Sequence, residues 1–185
     1  PSTGGDPSRF LNRDLEWLEF NRRVLDMAAD DSVPLLERVR FLSIFSNNLD
    51  EFFMKRVGTL RQQIEDGSAS PVPDALTPEQ QMQSIRQRVQ DMGRVQADVL
   101  RSNLLPAMQE RGIELLTWEQ LTHAERTEAR AWFHRNVFPI LTPLAVDPGH
   151  RFPFISNMSV SLGVMLRRPG ESEQLFARVK VPEIP

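Results

Sequence analysis

"FLSIFSNNLDEFFMK", Phe41 to Lys55, is dense in Phe, Ile and Leu, as a buried helix should be, yet Asn47, Asn48, Asp50 and Glu51 sit in its middle. Working outward, Leu35, Val39, Leu42, Leu49, Phe53, Val57, Leu60 and Ile64 keep one face from about Val33 to Glu65. The period is that of an α-helix. At about 1.5 Å per residue such a helix is roughly 45–50 Å long. Upstream, "ADDSVP" breaks the pattern, with Ser32 placed to cap the helix and Pro34 tolerated in its first turn. Downstream, "DGSASPVPDAL" reads as a Gly/Ser/Pro linker.

Two more helices flank this one. From Asn12 to about Ala29, the series Leu11, Leu15, Leu18, Leu25 and Ala28 keeps near-helical spacing, beside a second stripe of Trp17, Phe20, Val24 and Met27. Asp14 and Glu16 lie in its first turn, where negative charge suits the helix dipole. The third helix opens on Thr77–Gln80, "TPEQ", a capping box with proline at the first helical position. Met82, Ile85, Val89, Met92 and Val99 form its apolar stripe, and Pro106 or Gly112 ends it. Three such helices predict an antiparallel bundle over residues 10–111.

After Gly112 the pattern changes. "GIELLTWEQL" reads as a short strand or extended segment, and Thr122–Glu125, "THAE", is a second capping box opening a helix to about Val137. Pro139, Pro143, Pro148 and Pro153 mark an irregular stretch. "ISNMSVSLGVMLRR" and "QLFARVKVPEIP" read as two strands with alternating faces, the first carrying Met158, Val160, Leu162 and Val164, the second Leu175, Ala177, Val179 and Val181. The expected fold is therefore mainly α with an α+β second part. A disordered lead-in (1–9) precedes the helical bundle (10–111), and an incomplete small α+β domain (112–185) follows. Two strands and one helix are a thin basis for an independent fold, which marks the chain as a fragment of something longer.

Of 185 residues, 40% are apolar and 25% charged, as in an ordinary soluble globular protein. There is no cysteine, which removes disulfides, thiolate catalysis and cysteine zinc sites and fits a cytosolic setting. A formal charge of −3, without an Arg/Lys/aromatic surface motif, argues against nucleic acid as a partner. No apolar run approaches the roughly 18 residues of a membrane span. The three histidines, His123, His134 and His150, lack metal-binding spacing and any nucleophile pattern. No phosphate-cradling glycine loop is present. The sequence shows no catalytic centre of its own.

Helical geometry suggests two readings of Asn48. It falls among Phe41, Ile44, Phe45 and Phe52 on a second side of the long helix, so an amide is framed by apolar and aromatic groups. Such a frame can hold a planar heterocycle, with rings supplying contact area and the amide reading a donor–acceptor edge. Alternatively, Asn48 bonds a neighbouring helix or loop backbone. Asp50 and Glu51 are expected to pair with arginines such as Arg38, Arg40 or Arg56.

The stretches "FLNRDLEWLEFNRRVLDMA" and "VPLLERVRFLSIFSNNLDEFFMKRVGTL" closely resemble the amino-terminal region of the first family of polyphosphate kinases, and "FPILTPLAVDPGHRFPFISNMSVSLGV" resembles that family's adjoining head domain. The likeness covers about residues 10–182. It implies an enzyme that transfers the terminal phosphate of ATP reversibly onto inorganic polyphosphate, through a phosphohistidine and magnesium held in carboxy-terminal domains absent from this chain. None of the three histidines maps to that nucleophile, so the fragment alone is expected to be inactive and to bind no cofactor tightly. The second Asn of S-N-N-L-D-E-F, Asn48, maps to the family's adenine-side asparagine. Asn47, Asp50, Glu51 and Phe52 are expected to support that surface. The resemblance also makes His150, Arg151 and the "FPF" segment candidates for a substrate-channel or subunit surface. It implies a homo-oligomer in the cytoplasm, or peripheral to the inner membrane. A helical protein-interaction module of shared ancestry is the alternative.

Overall fold

The computed structural model describes residues 11–67, 76–146, 149, 152–167, 169–170, 172 and 174–182. The expected lead-in and most of the Gly/Ser/Pro linker lie outside them. The chain divides into two compact units, 1–115 and 116–185.

The first unit is helical. Helix α1 (Arg13–Ala29) starts where the Asn12 side chain accepts from the backbone N–H groups of Asp14 and Leu15, both at 3.0 Å. Helices α2 (Leu35–Phe52) and α3 (Gly58–Glu65) are one long helix joined through a π-helical turn, Phe53–Val57. Helix α4 (Pro78–Asp98) likewise runs through a π-helical turn, Val99–Leu104, into α5 (Leu105–Gln109). Its capping box, Thr77 with Gln80, is present. Ser32 is not a cap. Its N–H turns back to Asp30 Oδ1 at 2.9 Å, and Pro34 stands at the cap position with no side-chain bond. Pro106 does not stop the last helix, because the wider turn before it leaves no i−4 carbonyl in need of its missing N–H. Gly112, at φ 76°, ends the helix instead. Its N–H bonds Gln109 O at 3.0 Å and that of Ile113 bonds Met108 O at 3.0 Å, a Schellman cap.

The two π-turns set the core. Phe45 and Phe52 are buried seven residues apart, so a regular helix would next turn Thr59 inward. The extra residue of the turn shifts the phase by one, and Leu60 is buried while Phe53 and Met54 are exposed. The expectation of Phe53 on the core stripe fails because α2 turns its Phe45 and Phe52 side inward, and Phe53, with its N–H still on Leu49 O, lies about 100° round from Phe52. In the same way Ile85, Met92 and Val99 are followed inward by Leu104, with Asn103 exposed. Leu18, Leu25 and Ala28 complete the core from α1, whereas Leu11, ahead of the cap, is 76% exposed. Polar links fix the packing. Gln81 Nε2 donates to Asp14 Oδ2 at 2.7 Å, Arg88 Nη1 to Leu15 O at 3.2 Å, and Gln96 Nε2 to Ser46 Oγ at 2.6 Å. Residue numbers rise together between α1 and α4 and oppositely between α2 and α4, as in an up-down-up bundle.

The second unit carries α6 (His123–Asn136), opened by the Thr122/Glu125 capping box, and a three-stranded antiparallel sheet. "GIELLTWEQL" forms no ladder; towards its end it makes a single 3₁₀ turn, Trp118–Gln120. The sheet order is β1 (Pro143–Val146), β3 (Gln174–Lys180), β2 (Ser161–Arg167). The proline-marked stretch read as irregular thus supplies a strand: Pro143 pairs with Val179 and Val146 with Phe176 at the sheet's edge. A proline at the first residue of an edge strand costs no ladder bond. Gly163 lies under the Phe176 ring, where a Cβ would meet ring carbons at 3.1 Å. On the central strand, Arg178 is buried and donates to Ser161 Oγ and Phe154 O, both at 3.0 Å.

Candidate nucleotide site

Antiparallel packing of α1 on α2 brings three pairs of residues together. At one end Arg38 Nε donates to Ala28 O at 2.9 Å, capping the last turn of α1, and Nη1 reaches Asp31 at 2.7 Å. At the other end Trp17 stacks on Phe52, with ring centroids 4.7 Å apart and planes 13° apart. Between them Asn21 and Asn48 meet. Asn48 Nδ2 donates to Asn21 Oδ1 at 2.9 Å, and Asn21 Nδ2 donates to Phe45 O at 3.1 Å.

Burial separates the roles of these groups. Asn21 is 0% exposed, Phe45 0% and Phe52 2%, while Asn48 and Trp17 are half-buried. Phe45 and Phe52 are core residues and offer no open ring face; the α1 helix covers them. Of the apolar frame expected around Asn48, Phe41 is half-buried and Ile44 is 36% exposed. Asn48 spends one N–H on Asn21. Its carbonyl oxygen and second N–H make no hydrogen bond to the described residues, which leaves a donor and an acceptor at the edge of the bundle.

The expected bond to a neighbouring helix is present, and half of the Asn48 amide stays unspent. Asn47 is exposed and Asp50 half-buried. Glu51 pairs with Lys55 one turn on, not with an arginine. Arg38 and Arg40 lie too far back along the helix, and they pair with Asp31 and Glu37. The hydrogen bond from the Lys55 ammonium, helped by its charge, holds the Glu51 carboxyl below the ordinary glutamate range. His150 and Arg151 lie outside the described residues. In the "FPF" segment, Phe152 stacks on Phe176 at 6.0 Å and Phe154 is 86% exposed. Asn21 was not singled out from the sequence. Its signal is a polar residue three after Leu18 and four before Leu25, on the buried stripe of α1.

Residues 10–116 match the family described as the polyphosphate kinase N-terminal domain, and residues 124–185 match the polyphosphate kinase middle domain. A polyphosphate kinase of Mycobacterium ulcerans is 51% identical over 175 residues, 95% of this chain and 24% of that protein. One from Mycobacterium tuberculosis is 50% identical over the same length. The crystal structure of a polyphosphate kinase from Porphyromonas gingivalis superposes with a TM-score of 0.69 at 32% identity, over 92% of this chain and 25% of that one. The chain thus spans about a quarter of the length of the relatives it matches.

Proposed function

The chain belongs to the polyphosphate kinase family, and from that premise we propose that its helical unit (10–111) holds the adenine end of ATP for transfer of the terminal phosphate, reversibly, to inorganic polyphosphate. The observation that carries this is the half-buried Asn48, whose carbonyl oxygen and one N–H remain unspent beside the Trp17–Phe52 stack. A base edge can take both bonds. Trp17 is the aromatic surface still open there, since it is half-buried while Phe52 is enclosed. Asn47, Asp50, Glu51 and Phe52 shape and support the site.

The start of the head domain (112–185) serves subunit contacts of a homo-oligomer and faces the path of the chain substrate, with His150 and Arg151 on that surface. Phosphate transfer itself, through a histidine nucleophile that splits the reaction into two steps, belongs to parts of the enzyme beyond this chain. The resemblance places magnesium there too. Among the described residues no helix is long and apolar enough to cross a membrane. On the family resemblance alone we assign the enzyme to the cytoplasm, with a peripheral place at the inner membrane as the variant of that assignment.

The test is Asn48→Ala in an intact polyphosphate kinase carrying this chain. Each hydrogen bond to the base is worth roughly 0.5–1.5 kcal/mol net, so KM for ATP rises about two- to fifteenfold per bond lost. Turnover falls less, because a contact remote from the transferred phosphate is made alike in ground and transition states. An unchanged ATP dependence with a lowered Tm would make Asn48 a core amide only.

A further inference from the structure

The hydrogen bonds around Asn21 carry a direction. A backbone carbonyl can only accept, so Phe45 O takes the amide nitrogen of Asn21. This turns Asn21 Oδ1 toward Asn48, and Oδ1 too can only accept. Asn48 must therefore meet it with Nδ2. Turning the Asn48 amide by 180° would set two oxygens against each other. Turning both amides would set Asn21 Oδ1 against the Phe45 carbonyl. With Asn21 0% exposed, no water can relieve either mismatch.

We propose that Asn21 is a positioning residue that locks the Asn48 amide with its carbonyl oxygen outward, and that this lock makes the site select a 6-amino over a 6-oxo purine. The inference rests on the reading of Asn48 as the contact to the base. An unrestrained asparagine serves both kinds of base, since its terminal torsion flips oxygen and nitrogen. A locked one serves a base whose sugar is fixed in place in one pattern: acceptor toward the exocyclic amino group, donor toward a ring nitrogen. A 6-oxo purine offers its own acceptor where Asn48 presents one. The buried carbonyl of Phe45 thus reaches the nucleotide through two side chains, although it touches no ligand itself.

ATP and ITP differ at the 6-position, so they are the probes, with kcat/KM measured for each in an intact polyphosphate kinase carrying this chain. The unsubstituted enzyme is expected to favour ATP by about five- to thirtyfold, the cost of one acceptor facing another. Asn21→Leu keeps the branched outline of the side chain, removes its polar atoms and frees the Asn48 amide, and it is expected to bring the ratio within about twofold of unity. Asn21→Asp keeps an acceptor toward Asn48 and is expected to retain the ATP preference while lowering Tm. A ratio unchanged in Asn21→Leu overturns the lock. Asn48→Ala distinguishes the underlying reading: if it leaves the kinetics of both nucleotides untouched, Asn48 does not meet the base at all. Should neither Asn21 variant fold, the unsubstituted enzyme and Asn48→Ala decide. An ATP preference that disappears in Asn48→Ala supports the fixed amide. Equal use of the two nucleotides, or a preference that survives Asn48→Ala, overturns it.

Discussion

Trp17 lies flat against Phe52, with planes 13° apart and centroids separated by 4.7 Å, and the contact joins α1 to the last turn of α2. One face of Phe52 is thereby closed by Trp17, and its edge meets Phe53 at 6.2 Å. Phe52 is enclosed in the core. Phe52→Ala should therefore act on stability, by about 3–5 kcal/mol for a fully buried ring. For a unit of this size that lowers Tm by roughly 12 °C or more. Asn48→Ala should lower Tm less, by the roughly 1–3 kcal/mol of leaving the buried Asn21 Oδ1 without its partner, while raising KM for ATP, so thermal unfolding beside steady-state kinetics separates the two residues.

The π-turn at Val99–Leu104 makes a sharper claim about neighbours in sequence. Leu104 is fully buried and Asn103 exposed. Leu104→Ala is expected to cost about 2–5 kcal/mol and Asn103→Ala no more than about 0.5 kcal/mol. Urea unfolding of the two variants checks this, and a reversed order would mean that the helix runs through without the extra residue.

At the start of α6, the Glu125 carboxylate accepts from the Thr122 N–H at 2.7 Å and from its hydroxyl at 2.7 Å. These bonds, the backbone one first, hold the Glu125 carboxyl below the ordinary glutamate range. The sign follows from that lowering. The bonds stabilise the helix start fully above the ordinary glutamate pKa, and the contribution is lost as pH falls through the lowered value. Corrected for intrinsic rates, amide exchange in the first turn of α6 should speed up over that acid window. Glu125→Gln should flatten the dependence, since a neutral amide still accepts the same bonds.

Incubated with ATP labelled on its terminal phosphate, this chain alone is expected to gain no acid-labile phosphate and to make no polyphosphate. His123 opens α6, and His134 packs between Phe133 and Phe138 at ring distances of 5.6 and 5.4 Å. Among the described residues neither has the acid–base partner that an activated nucleophile requires. Label on His123, His134 or His150 would overturn the assignment of chemistry to the rest of the enzyme.

Local chemistry made much of this fold legible. Thr77–Gln80 and Thr122–Glu125 bonded as their sequences prescribe, because a capping box depends on four consecutive residues and little else. Leu18, Leu25, Ile85 and Met92 fell inside for the same kind of reason: helical period is written into spacing. Phe53 fell outside because the long helix carries two apolar sides, and α2 buries the one that holds Phe45 and Phe52. Strand β1 was hidden by its length of 4 residues and its leading proline, and it exists only because β3 lies beside it. At the site, Asn48 could be found from one helix, but Asn21 could not. Its meaning depends on an acceptor 24 residues away on the next helix.

The π-turn at Phe53–Val57 has a consequence for how this fold tolerates change in chain length. Core positions 52 and 60 are separated by one residue more than two regular turns require. Removing a single residue from that turn would leave an unbroken α-helix with both buried faces still aligned. The same deletion between Phe45 and Phe52 would swing everything beyond it by about 100° and turn polar groups inward. The turn is a slack loop in an otherwise taut cord: it can give up a link while the asparagine pair, a full turn upstream, keeps its grip.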